Sequence, residues 1–206
     1  MNKLNATMLS LGTVALTAPV AMGAGVLVDP GFEDPLVDNG SGVGKWQPFA
    51  AAPATSVTTT ANPRTGSNSL ELAMNGTSNL FAGVFQDVNV MAGEEITFAG
   101  FHAAVDNSPS GIEIRIEWRD SVGDTEISRT GNLVFSPGTD YEPFSLTDTT
   151  PAGADTARVV YAVQSFGGAV NSSVNVDDVS VTGIPEPSST MLAGLSLLGL
   201  LATRKR

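Results

Sequence analysis

Cysteine is absent from the 206 residues, which removes disulfides, thiolate metal centres and a thiol nucleophile together. Histidine occurs once, as His102. It falls in Phe98–Ala103 at the parity of a sheet-face residue, and a packed histidine is expected there. Basic side chains are scarce: ten stand against 21 acidic ones, and Lys3, Arg204, Lys205 and Arg206 lie in the terminal segments. Between residues 25 and 183, six basic residues face twenty acidic ones, a net charge of −14. Nucleic acid is excluded as a partner, since phosphates need basic patches. An acidic body favours solubility and suits divalent cations. No Gly-x-Ser-x-Gly, His-Glu-x-x-His or phosphate loop occurs. Paired carboxylates are the remaining route to catalysis, and no catalytic residue is expected.

The long apolar runs sit at the two ends. Lys3 is the only charge before Asp29, and Ala6–Met22 is apolar and small, interrupted by Pro19. Ala21-Met22-Gly23 places small residues where a signal peptidase reads, so residues 1–24 are expected to be a secretory signal peptide cut near Gly23 or Ala24. At the other end, Pro185 and Pro187 fix their own φ angles and bias Ile184 and Glu186 toward extended geometry. Met191–Ala202 then reads MLAGLSLLGLLA without a charge, and Arg204-Lys205-Arg206 closes the chain. With its polar flanks the run makes about 16 helical residues, or ~24 Å. That is short for a span, but the basic stop at its edge is what the positive-inside rule expects of a cytoplasmic flank. Leucines wrap all sides, where a soluble helix would keep a polar stripe. A short transmembrane helix is expected.

Pro185-Glu186-Pro187, the apolar run and the terminal Arg204, Lys205 and Arg206 together resemble the PEP-CTERM sorting signal of exported bacterial proteins. The likeness covers residues 184–206, with Ile184 where valine is more usual. It implies an exosortase as processing partner, a membrane-embedded cysteine transpeptidase that cuts near the motif and passes the body to the cell surface or extracellular matrix. The tail is then a substrate and carries no catalysis.

Residues 25–183 read as strands. Short β-branched runs recur every ~8–15 residues between Gly, Pro, Asn and Asp, the pattern of two packed antiparallel sheets. Ile112–Arg119 is the clearest, with apolar even positions and charged odd ones. Further strands are expected at Gly25–Val28, Ser56–Thr60, Ser69–Ala73, Ala82–Val90, Glu95–Ala104, Ile127–Phe135, Glu142–Thr147, Thr156–Gln164 and Ser173–Thr182. In the last, the apolar period slips at Asp177-Asp178, as a β-bulge would make it. The Gly- and Asn-rich stretch Asp34–Lys45 reads as a mobile loop. Trp46 and Trp118 read as core. The fold class is thus all-β, an antiparallel β-sandwich flanked by a signal peptide and a membrane helix.

Gly31-Phe32-Glu33, Trp46, Arg64–Leu72, Gln86-Asp87-Val88 and Val176–Val181 come in an order that resembles the galactose-binding-like jelly-roll carbohydrate-binding modules, notably the family 4/9-like group. The resemblance implies a structural calcium tying the start of the body to its last strand. Its matching ligand positions are Glu33, the Arg64–Asn68 loop, and Asp177 or Asp178. Calcium takes six to eight hard oxygens from carboxylates and carbonyls, and carboxylates packed together would otherwise repel. Sugar faces use exposed rings flanked by amides and acids. Tyr141, Phe144, Tyr161 and Phe166 are candidates, with Gln164 and Asn171 near the last, yet they form no platform, and the ligand-binding residues stay unknown.

The expected role is therefore an exported, non-enzymatic surface or matrix protein associated with exopolysaccharide. The alternatives are a glycan-specific, lectin-like module and a small carboxylate-dependent envelope hydrolase. Replacing Pro185, Glu186 and Pro187 with alanine should trap unprocessed protein in the membrane fraction; equal release of variant and wild type in fractionated cells refutes the sorting role.

Overall fold

In the computed structural model, the described residues are 25–76, 79–105, 111–166 and 171–184. The expected signal peptide and membrane helix lie outside them. Ten strands are defined: β1 Gln47–Ala50, β2 Thr55–Thr59, β3 Ser69–Asn75, β4 Phe81–Asn89, β5 Glu95–Ala104, β6 Gly111–Asp120, β7 Thr125–Arg129, β8 Glu142–Thr149, β9 Thr156–Gln164 and β10 Asn171–Ile184. They form two five-stranded antiparallel sheets. Sheet A has the order β1-β4-β9-β6-β7, and sheet B the order β2-β3-β10-β5-β8.

Period-two patterning decides which side chains lie between the sheets. On β6, Ile112, Ile114, Ile116 and Trp118 point inward and are buried, while Glu113, Arg115 and Arg119 point out. β9, central in sheet A, supplies Ala157, Val159, Tyr161 and Val163 to the same layer. Sheet B answers with Leu70, Leu72, Met74, Ile96, Phe98, Val174 and Val176. Both tryptophans are core, as expected. The Trp46 indole N–H donates to the Asp29 carbonyl at 2.9 Å, and its ring packs on Phe32.

Several expectations need correction. Gly25–Val28 forms no strand; Gly25 N–H reaches the Asn89 carbonyl, and Val28 is held by the Gln86 side chain instead. The expected strand 127–135 stops at Arg129 and is replaced by a bridge at Leu133–Ile114. β1 was not foreseen: Gln47-Pro48-Phe49-Ala50 is short and interrupted by proline, which an edge strand tolerates. The 34–45 loop is tied down. The Gln47 side-chain carbonyl accepts from the N–H groups of Asn39 and Ser41, its amide donates to Asp38, and the Gly42 carbonyl accepts from Asp87 N–H.

His102 is fully buried, and its Nδ1 is 2.6 Å from the Tyr161 hydroxyl. Phe135, Phe144 and Tyr161 surround the ring, and Nε2 has no partner among the described residues. Burial lowers its pKa from 6.5 to about 4. Between those values the unfolded chain binds the proton and the folded one does not. Stability is therefore full above pH 6.5 and falls as the pH drops toward 4, by on the order of 3 kcal/mol. Urea midpoints between pH 7 and pH 4 check this: the wild-type midpoint should fall across that window, and His102→Asn should flatten the slope.

Candidate functional site

Two places on the sandwich gather polar chemistry. The first joins the start of the body to its last strand. Asp177 on β10 is fully buried. Its Oδ2 accepts from the N–H groups of Arg64 at 2.8 Å and Thr65 at 3.2 Å, and its Oδ1 from Asp178 N–H at 2.7 Å. Burial pushes its carboxyl above the usual range, against these three amides, which lower it. Asp178 turns away to the Arg64 guanidinium and the Thr65 hydroxyl, with φ at +47°. The ladder with β5 shifts register between Asp177 and Ser180, which is the bulge the sequence slip indicated.

Glu33 completes the cluster. Its carboxylate accepts from Ser67 N–H at 2.9 Å, and its backbone carbonyl from the Asn68 amide at 2.8 Å. Gly66, at φ +62°, gives it room, since a Cβ there would lie 1.8 Å from Glu33 Oε1. A Cβ on Gly31 would lie 3.7 Å from Asp177 Oδ1 and 3.9 Å from Glu33 Oε1, so both carboxylates border one small space. The fold thus brings Glu33, Arg64, Asn68, Asp177 and Asp178 into one network. Among the described residues no group of three or more His, Asp or Glu is arranged to hold a metal. The donor set at Gly31 is two carboxylates, and each already accepts from N–H groups of the 64–68 loop.

The second place is the outer face of sheet A. Register partners share a face, so its rows follow from the pairing. Across β4, β9 and β6 they are Phe81, Gln164 and Gly111; Gly83, Ala162 and Glu113; Phe85, Val160 and Arg115; then Asp87, Arg158 and Glu117. β1 adds Phe49 beside Gly83 and Gln47 beside Phe85. One half of the face is aromatic over a floor of small residues. Phe49 lies within 6.3 Å, centroid to centroid, of both Phe81 and Phe85. Gly83 makes this possible, because a Cβ there would meet the Phe49 ring at 2.3 Å. Phe81 is 42% exposed. Phe166, also exposed, lies against Gly111 at the end of the floor.

The other half is a lattice of ion pairs. Arg115 bridges Glu113 and Glu117 along β6. Arg119 contacts Glu117, Asp124 and Glu126; Arg129 contacts Glu117 and Glu126. Arg158 makes a two-pronged bond to Asp87 at 2.7 and 2.9 Å and stacks over Phe85 at 4.1 Å. The side-chain bond from Arg119 holds Asp124 below the usual carboxylate range, and the bond from Arg129 does the same for Glu126. Four of the body's six basic residues are on this face. At its end, a cleft of about 520 Å³ opens between Ser41, Asn89, Arg119, Asp124 and Arg158.

Of the aromatic candidates from sequence, Phe144 and Tyr161 are core residues, not surface ones. Tyr141 is half-buried and donates to the Asn62 carbonyl. Phe166 and Gln164 do reach the outer face of sheet A. Phe49, Phe81 and Phe85 were missed. The Phe81–Asn89 alternation placed Phe81 and Phe85 opposite the core parity, which was the available signal.

Residues 183–206 match the PEP-CTERM protein-sorting motif. No curated protein matches the chain. Among solved structures, the sandwich is similar to the CBM22-1 xylan-binding domain of Xyn10C from Paenibacillus barcinonensis, at 14% identity and TM-score 0.54 over 81% of this chain and 99% of that one. It is also similar to a CBM4 module, at 17% identity and TM-score 0.53 over 77% and 99%. A third is the enzymatically active domain of tailspike protein 4 of bacteriophage CBA120, at 19% identity and TM-score 0.57 over 73% of this chain. The chain spans about a fifth of that tailspike domain, 21%. At these identities the likeness establishes the fold: a jelly-roll sandwich of the kind found in carbohydrate-binding modules.

Proposed function

We propose that this is a non-enzymatic surface protein that grips a glycan on the outer face of sheet A. It is exported with the help of a signal peptidase and sorted through its PEP-CTERM tail by an exosortase. The observation that carries the binding half is the Phe49–Phe81–Phe85 group on the Gly83–Ala162 floor beside a lattice of fixed guanidiniums and carboxylates. Rings pack on the apolar faces of sugars, and the charged groups, held in place by one another, offer hydroxyl partners without rearrangement. Solved modules of the same fold are xylan-binding and galactotriose-bound, which supports a glycan as ligand. Exopolysaccharide of the producing cell is the glycan we favour, since sorting leaves the protein at the surface or in the matrix.

A hydrolase reading gains no support from the carboxylates of this face. A general acid needs a raised pKa, whereas Asp124 and Glu126 are lowered by their arginines. Glu113, Glu117 and Asp87 of the same face each form an ion pair with arginine.

Retention of the purified body on a glycan array and in gels containing xylan, β-glucan or galactan tests the reading. Phe49→Ala and Phe81→Ala should each weaken retention about tenfold with the fold intact by circular dichroism. No retention of the wild type on any glycan overturns the binding half.

We also propose that Glu33 and Asp177 hold a structural calcium, with carbonyls of the 64–68 loop, where the ion would offset the two carboxylates bordering Gly31. A chelator should then lower the melting temperature of the body by several degrees, for a few kcal/mol of lost binding. Asp177→Ala should melt at the same temperature with and without chelator. An unchanged wild-type curve rules the ion out.

A further inference from the structure

The last strand is held unevenly. From Val174 to Val176, β10 has ladders on both sides, to β3 and to β5. The β3 register ends at Val176–Leu70, while β5 continues alone from Ser180–Ala99 to Ile184–Glu95. The bulge divides the two parts. On its near side Asp177 and Asp178 are clamped to the 64–65 loop, and Val179 N–H bonds the Pro30 carbonyl at 3.0 Å. Beyond it, Ser180 and Thr182 are exposed, and Gly183 has no side chain. Val181 packs partly buried against the core.

Residues 180–184 are paired on one side alone, to β5, with Val181 partly buried, and Pro185 follows the last laddered residue directly. A protease takes its substrate as an extended strand whose amides are free to pair with the enzyme. The backbone next to the sorting motif is already paired with β5. Segments with few buried contacts open locally well before the core does. Release of five residues frees about 17 Å of extended chain at ~3.3 Å each.

We infer that Ser180–Ile184 is a releasable strap that peels from β5 to present the sorting motif to its processing enzyme, while the Asp177–Asp178 clamp keeps the sandwich folded. This rests on the sorting reading above. The absence of cysteine permits a clean test in the full-length chain, expressed in cells with an exosortase. Thr97→Cys with Thr182→Cys joins register partners of β5 and β10. Thr97→Cys with Thr147→Cys joins β5 to β8 and leaves the strap free; those hydroxyls are 2.8 Å apart in the native protein. Disulfide formation is read by thiol labelling.

The oxidised strap staple should slow processing about tenfold, with recovery on adding a reductant, and the β5–β8 staple should process at the wild-type rate in both states. Val181→Ser should speed processing about twofold by loosening the strap. Processing of the oxidised strap staple at its reduced rate overturns the inference. The alanine replacement of Pro185, Glu186 and Pro187 separates the two ideas. If that variant is blocked and the staple has no effect, the strap alone falls; if that variant is processed normally, the sorting reading falls and takes the strap with it.

Discussion

A buried carboxylate held by backbone amides organises one side of this sandwich. Asp177 is out of water, and its charge is met by three backbone N–H groups from two segments far apart in sequence. Those bonds fix the 64–65 loop on β10, and Glu33 fixes the remainder of that loop to the start of the body. An unmet carboxylate here would cost several kcal/mol, so the three segments hold or fail together. The bulge follows from the same requirement: Asp177 must face the loop amides, and Asp178 takes a left-handed φ to reach Arg64 and Thr65.

The opposite side solves a different problem. The outer face of sheet A carries exposed rings at Phe81 and Phe166, and exposed apolar surface invites aggregation unless it is managed. Charge on β6 and β7 does this on one half, where each arginine meets at least two carboxylates, so no large field builds up. On the other half Phe49, Phe81 and Phe85 remain as a narrow aromatic strip. The juxtaposition is suited to a ligand that has both apolar faces and hydroxyls, which is the chemistry of a sugar chain.

The ends of the body share one pole. Gly25 pairs with Asn89, and Ile184 with Glu95, on either side of the turn between β4 and β5. The described part of the body therefore begins and ends near the same place on the sandwich. That end also lies where β10 has a single ladder, and this singly paired stretch precedes the sorting motif.

Much of this was legible in the order of residues. Alternation on β6 is a local property, and it gave a strand with the correct inward face. The period slip at Asp177-Asp178 foretold the bulge, and the proline pair, leucine run and basic cluster carry the sorting motif within 24 contiguous residues. What could not be read is whatever depends on residues distant in the chain. Phe49 is one ring in a four-residue edge strand, and it becomes part of a platform only because Gly83 of β4 leaves space beneath it. Phe144 and Tyr161 look like surface rings in sequence but close around His102. Gln47 pins a loop that composition alone marks as mobile. The sequence by itself determined the sandwich class, the core parity and the address, because period and motif are short-range. The tertiary structure decided where the rings and ion pairs gather and which carboxylates meet, because those follow from strand order and register across the sheets.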